Sequence, residues 1–180
     1  DWYETDALYK ISRQINKYNP DIVKFGYTRV NIDGTQRKSN TGTEKDEFAE
    51  KNDFNKSVYP YFINGIGLNS VCCAVFKRSV IQNLKFSADF CTAEDAAFSL
   101  EAYTNAKNVL FLNEHLYCYY QTGRGLTGSG ISVFKKYYYN FKLSVKILKL
   151  LPKWNMNTLV WKIKTFLRLI KLTTNKITRK

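Results

Sequence analysis

Near the start of the chain the hydrophobic pattern changes period abruptly. Leu8, Ile11, Ile15 and Tyr18 recur at helical spacing, Asn19-Pro20 interrupts them, and the apolar run Asp21-Ile22-Val23-Lys24-Phe25-Gly26-Tyr27 follows at once. Proline cannot continue a helix and biases the residue before it towards extended backbone, so the pattern predicts a helix over 4–18 and a strand over 21–27. Asn31-Ile32-Asp33-Gly34 supplies a turn signal after that strand. The alternation continues along the chain. Ser70 to Phe76 reads as a compact apolar strand, Ser79 to Asn83 as a short helix, and Asp95 to Ala106 as a helix with Phe98, Ala102 and Ala106 on one face. Asn108 to Leu112 and Leu116 to Tyr120 read as two further strands. Between these elements, Thr35 to Lys56 is polar, with Phe48 and Phe54 as its large apolar residues, and is expected to be an irregular or partly helical insertion. The fold class is therefore α/β with mixed strands. An aromatic-rich helix from Ser132 to Leu151, stopped by Pro152, follows the body.

At 180 residues the chain is about one domain, long enough to bury roughly 70% of its unfolded surface. Its 44% hydrophobic and 16% aromatic content suits a folded globular protein. Cys72, Cys73, Cys91 and Cys118 show neither a CxxC pair nor an even spacing, so the pattern signals no zinc cage and no disulfide framework, and points to a reducing compartment. With no signal peptide and an opening at Asp1-Trp2-Tyr3, the chain reads as a piece of a longer protein.

Charge is segregated. Residues 1–114 carry 14 basic and 15 acidic side chains, whereas residues 115–180 carry 14 basic and no acidic ones. Such asymmetry points to an anionic partner for the C-terminal segment. From Leu159 to Lys171 a helical projection groups Leu159, Ile163, Phe166, Leu167 and Ile170, with Lys164, Arg168 and Lys171 opposite. With Trp154 and Trp161 beside it and no apolar run of spanning length, this basic amphipathic helix is expected to lie on an anionic membrane surface through residues 154–180. The bland alternative is a helix that packs its apolar face on its own domain. Nucleic acid is not expected, because no zinc-finger, RNA-recognition or helix-turn-helix pattern accompanies the lysines.

The segment Phe90-Cys91-Thr92-Ala93-Glu94-Asp95-Ala96-Ala97-Phe98 carries two adjacent carboxylates at a helix start. Thr92-x-x-Asp95 has capping-box spacing, so the acids can simply cap. A carboxylate held in a first helical turn can equally serve as a general base on a rigid element. The residues by themselves leave both readings open. Elsewhere, Asn64-Gly65-Ile66-Gly67-Leu68 is a weak glycine signal better read as a turn, the lone His115 reads as structural, and the tyrosines at 117, 119, 120 and 137–139 read mainly as packing.

Taken in order, Asp1-Trp2-Tyr3, Asp21-Ile22-Val23, Val75-Phe76-Lys77-Arg78, Ala93-Glu94-Asp95 and Leu116-Tyr117-Cys118-Tyr119-Tyr120 resemble the second half of a bacterial family 2 glycosyltransferase. The resemblance covers about residues 1–130 and implies a partial GT-A fold with C-terminal helices. Its domain division is an acceptor-side catalytic part at 1–130 and a helical, basic amphipathic tail at 131–180. It implies inverting transfer of a sugar from a nucleotide-diphosphate donor to a lipid-linked or polysaccharide acceptor, at the inner face of the plasma membrane. Asp1-Trp2 matches the end of an extended Asp-x-Asp motif, so Asp1 is implied in holding a divalent metal, Mg2+ or Mn2+. The other metal-binding aspartates would then lie upstream, and the chain alone would be inactive. Asp95 is implied as the base, with Glu94 orienting the acceptor or the donor.

Gln121-Thr122-Gly123-Arg124-Gly125 falls where related enzymes place a mobile loop. Gly125 stands where processive members carry Trp, which argues against a processive synthase. Arg124 is the candidate for the donor diphosphate, because a guanidinium forks onto phosphate oxygens. The competing reading for the whole chain is a non-catalytic, membrane-associated interaction module in which Glu94 and Asp95 only cap a helix.

Overall fold

The computed structural model describes residues 1–39, 41, 43–64, 70–90, 93–122 and 132–156, and beyond them residues 159, 160, 162, 163, 166 and 167. In chain order the elements are β1 (Trp2–Tyr3), α1 (Ala7–Tyr18), β2 (Ile22–Asn31), β3 (Gln36–Lys38), β4 (Glu47–Glu50), α2 (Phe54–Ser57), α3 (Tyr59–Asn64), β5 (Ala74–Phe76), α4 (Arg78–Ile81), α5 (Glu94–Asn105), β6 (Asn108–Gln121) and α6 (Val133–Leu150). Short 3-10 turns cover Lys51–Asp53, Val71–Cys73 and Leu151–Trp154. As the Asn19-Pro20 break predicts, α1 ends at Tyr18, with Asn19 in the left-handed conformation as its C-cap.

The described strands form one six-stranded mixed sheet. Its spine is the parallel pair β2 and β6. On β6, β4 pairs at residues 108–111 and β1 at 117–118; on β2, β5 pairs at 22–24 and β3 at 28–30. All four flanking pairs are antiparallel. Period-2 alternation sorts the spine between two cores. Ile22, Val109 and Phe111 join one core with α2, α3, α5 and α6, while Val23, Phe25, Leu110, Leu112 and Leu116 join Ala7 and Ile11 of α1 in the other.

Three expectations change. First, the polar stretch 35–56 contributes two edge strands, β3 and β4, because its backbone groups complete ladders that its side chains do not advertise. Second, residues 108–112 and 116–120 belong to one strand. Its ladder to β2 shifts register between Lys24 and Gly26 and again between Gly26 and Tyr27, with Gly26 opposite His115. The polar interval Asn113-Glu114-His115 is thus a bulge and not a loop. A Cβ on Gly26 would sit 2.8 Å from both His115 Cδ2 and Thr41 Cγ2, so glycine is what lets the bulged strand close over β2. His115 is structural, as expected: its Nε2 lies 2.8 Å from the Ser39 carbonyl oxygen.

Third, Trp154 does not belong to the exposed segment expected to lie on a membrane. It is 4% exposed, packs edge-on against Phe54, Tyr59 and Phe62, and donates from Nε1 to Thr104 Oγ1 at 2.9 Å. Tyr139, Leu143, Ile147, Leu151 and Met156 are buried in the same core. One face of α6 and the turn after it therefore complete the body, because an isolated α5 would leave its inner side uncovered.

Candidate functional site

The site is built on the start of α5. Ala93, in the left-handed region at φ 72°, turns the chain into the helix as its N-cap and makes no side-chain cap. A left-handed alanine costs about 1–2 kcal/mol, and strain of this kind is found where a structure over-determines a functional turn. The expected Thr92 cap lies outside the described residues, as do Cys91, Arg124 and the 65–68 segment.

Glu94 and Asp95 occupy the first turn of α5 and both are half-buried. Burial pushes the Asp95 carboxyl above its ordinary value, a hydrogen bond from the Val71 backbone N–H opposes that, and the Glu94 charge adds to the rise. A carboxylate tuned upwards is a better proton acceptor near neutral pH than a fully hydrogen-bonded cap. Glu94 Oε2 is buried with no hydrogen-bond partner among the described residues. A buried acceptor of this kind is expensive unless something donates to it, and a ligand hydroxyl suits that geometry.

Val71 belongs to the 3-10 turn Val71–Cys73, which also reaches the second predicted residue. Tyr117 of β6 donates its hydroxyl to Asp1 Oδ2 at 2.9 Å, and the same hydroxyl hydrogen-bonds to Cys72 on that turn. The Tyr120 backbone N–H donates to Asp1 Oδ1 at 2.8 Å. Tyr3 donates to the Cys72 carbonyl at 3.1 Å. Asp95 directly, and Asp1 through Tyr117, are thus tied to one short turn. Strand pairing produces this, since Tyr3 and Trp2 lie beside Tyr117 and Cys118 in the β1–β6 ladder.

Beneath the turn, Lys24 of β2 is 4% exposed and donates to the Cys73 carbonyl at 3.1 Å. Burial pulls its pKa down to about 8. The sequence reading missed Lys24, Val71 and Tyr117 as members of this cluster. A lysine interrupting an apolar strand was the visible signal for the first; a backbone donor leaves none for the second.

Among the described residues no group of three or more His, Cys, Asp or Glu side chains is placed to hold a metal ion. The exposed Asp1 carboxylate offers a single ligand with lone pairs to spare. That fits the habit of Mg2+, which takes one or two carboxylates together with substrate phosphates and waters.

Neither a family model nor a curated protein matches the chain. Solved structures do. The crystal structure of S. aureus TarS 1–349 in complex with UDP-GlcNAc superposes with a TM-score of 0.61 at 16% identity, over 82% of this chain and 40% of that one. A second crystal structure of S. aureus TarS 1–349 gives 0.56 at 14% identity, over 82% and 38%. The chain has the fold of part of a GT-A glycosyltransferase. This GT-A portion spans about two fifths of the chains it matches. No helix among the described residues is long and apolar enough to cross a membrane.

Proposed function

We propose that this chain is the acceptor-side part of a glycosyltransferase that moves a sugar from a nucleotide-diphosphate donor to a lipid-linked or polysaccharide acceptor. The observation that carries the reading is the state of Asp95: half-buried, raised by burial and by Glu94, and held in place by the Val71 N–H. The GT-A fold and a neighbour that binds UDP-GlcNAc support it.

In this reading the Asp95 carboxylate takes the proton from the acceptor hydroxyl as that oxygen attacks the anomeric carbon. Glu94 Oε2 accepts a second hydroxyl and orients the acceptor. The Val71 N–H keeps one Asp95 oxygen fixed, so the other faces the reacting proton. Asp1, oriented by Tyr117 and Tyr120, marks the donor side of the same turn. A divalent cation, Mg2+ or Mn2+, held by Asp1 and the diphosphate would stabilise the charge on the departing nucleotide. Arg124 is the proposed partner of that diphosphate.

The exposed aromatic stripe Phe134, Tyr138 and Phe141 on α6, and the exposed Leu159, Val160, Ile163, Phe166 and Leu167 beyond it, support attachment to an anionic membrane surface at the cytoplasmic face. No anionic nucleic acid is invoked.

The test uses the full-length enzyme. Asp95→Asn abolishes transfer while donor binding, followed by calorimetry, stays at its original affinity; turnover near that of the unaltered enzyme would remove Asp95 as the base.

A further inference from the structure

A cleft outside the carboxylate site lies between α6 and the segment that leads into α5. It encloses about 340 Å3 and is lined by Phe90, Phe141, Lys142, Val145, Lys146 and Lys149. Small-ligand sites span about 300–1,000 Å3, so the volume suits part of a small molecule and not a protein segment. Two ridges of α6 meet there. Phe141 and Val145 continue the helical spacing of the exposed Phe134 and Tyr138, so the apolar stripe runs into the cleft. Lys142, Lys146 and Lys149 stand four and three residues apart on the neighbouring ridge.

The lysines are not equally engaged. Lys146 is ion-paired with Glu101 of α5. Half-buried Lys142 holds its ammonium 5.4 Å from the ring centroids of both Phe90 and Tyr138 and donates to the Asp89 carbonyl at 3.3 Å, so aromatic faces and a backbone oxygen stand where a carboxylate would otherwise be. Lys149 is exposed, and among the described residues neither it nor Lys142 is in an ion pair. From residue 115 onwards the sequence offers no acid to match them. Apolar lining beside two unmatched cations fits a ligand with a hydrocarbon chain and an anionic head. A polyanionic glycan would leave Phe90, Phe141 and Val145 without a partner, and an uncharged lipid would do the same to the lysines.

We propose that this cleft is a binding site for one molecule of an anionic membrane lipid, its hydrocarbon chain against Phe90, Phe141 and Val145 and its phosphate on Lys142 and Lys149. For the source of the lipid the proposal rests on the reading of α6 as membrane-facing, and it goes beyond that reading. Attachment through an exposed stripe needs only an apolar, negatively charged surface. A cleft selects a single molecule by both of its ends. Lysine suits the boundary between them, since its stem covers apolar surface while its ammonium meets the charge. Phe90 stands four residues ahead of Glu94, so a lipid seated on it touches the segment that leads into the carboxylate pair.

The test is calorimetric titration of the full-length protein with octyl phosphate, kept below its micellar concentration. One molecule binds per chain, and affinity rises about fourfold with each methylene from hexyl to octyl phosphate, the gain for a CH2 taken out of water. 1-Octanol and inorganic phosphate each carry one half of the ligand and bind at least about tenfold more weakly. Lys149→Gln, at an exposed position, lowers the affinity for octyl phosphate about fivefold, and adding Lys142→Gln lowers it about fivefold again, while octanol binding stays unchanged. Phe141→Ser reduces the gain per methylene. Octanol or inorganic phosphate binding as tightly as octyl phosphate, an affinity unmoved by Lys149→Gln, or an undiminished chain-length gain in folded Phe141→Ser would each overturn the proposal. Neither vesicles nor sugar transfer enter this readout. A protein that binds anionic vesicles but not octyl phosphate loses the cleft and keeps the surface reading, and one that binds octyl phosphate but ignores vesicles does the reverse.

Discussion

The backbone N–H of Val71 donates to the Asp95 carboxylate, so the residue proposed as base is aimed by a turn more than twenty residues away in sequence. The same turn is tied to Asp1 through Cys72 and Tyr117. One 3-10 turn therefore links the carboxylate proposed as base to Asp1, through the Val71 N–H on one hand and Tyr117 on the other.

With Asp95 as the proposed base, the pH dependence of transfer follows from its titration. Only its ionised form can accept a proton, and burial followed by the Glu94 charge raises its pKa, with the Val71 N–H opposing. kcat/KM of the full-length enzyme should fall as pH drops through a value above the ordinary carboxylate range. Glu94→Gln removes one of the raising influences and should shift that fall to lower pH, measured as the acid limb of the rate profile.

The same shift makes a stability prediction of opposite sense. A carboxyl whose folded pKa is raised contributes stability that is present below its unfolded pKa and is lost as pH rises through the folded one. At neutral pH the ionised Asp95 is therefore a cost to folding. Asp95→Asn keeps an acceptor for the Val71 N–H and removes that charge, so its Tm at pH 7 should equal or exceed that of the unaltered protein, while at pH 3 the gain disappears. Thermal unfolding at the two pH values reads the difference.

Gly26 gives a packing prediction. An added methyl would meet the His115 ring and Thr41 at 2.8 Å within the bulged ladder. Gly26→Ala should destabilise the fold by about 1–3 kcal/mol, the usual range for overpacking. Denaturant unfolding checks it, and pairing the change with Thr41→Ser, which removes one of the two contacts, should recover part of the loss.

Trp154 should behave as a core residue. Trp154→Ala removes a ring packed on Phe54, Tyr59 and Phe62, and the loss should be about 3–5 kcal/mol. Trp154→Phe should cost less, since Thr104 Oγ1 still donates to the Leu100 carbonyl at 2.6 Å when the indole N–H is gone. Equilibrium unfolding distinguishes the two.

The exposed stripe on α6 makes the membrane reading testable. Phe134 and Phe141 are solvent-facing, so replacing both with serine should leave the unfolding midpoint within about 0.5 kcal/mol of its original stability. Binding to vesicles containing anionic lipid should weaken in that variant, and should weaken in the unaltered protein as salt is added. Binding indifferent to both salt and lipid charge would sink the membrane assignment.

Much of the architecture was legible in local pattern. The Asn19-Pro20 break, the turn at Asn31 to Gly34, the helix headed by Glu94 and the aromatic helix before Pro152 all stand close to where their periodicity and stop signals put them. The polar interval 113–115 was also visible, but as a gap: a bulge and a loop look alike until the partner strand is known. β3 and β4 were hidden because edge strands are held by backbone ladders, and polar side chains on an exposed edge carry no alternation to read.

By itself the sequence determined the α/β class, the helix-leading carboxylate pair and the segregation of charge into the C-terminal third, because each is a property of composition or of neighbours along the chain. Which residues meet across the fold was decided by tertiary structure alone. The parallel pairing of β2 with β6 brings Lys24, Tyr117 and the Val71–Cys73 turn together, and the packing of α6 takes Trp154 out of the tail and into the core. The reason is physical: hydrogen bonds from a backbone amide, burial of a lysine and contact between distant rings depend on separations in space that no local pattern encodes.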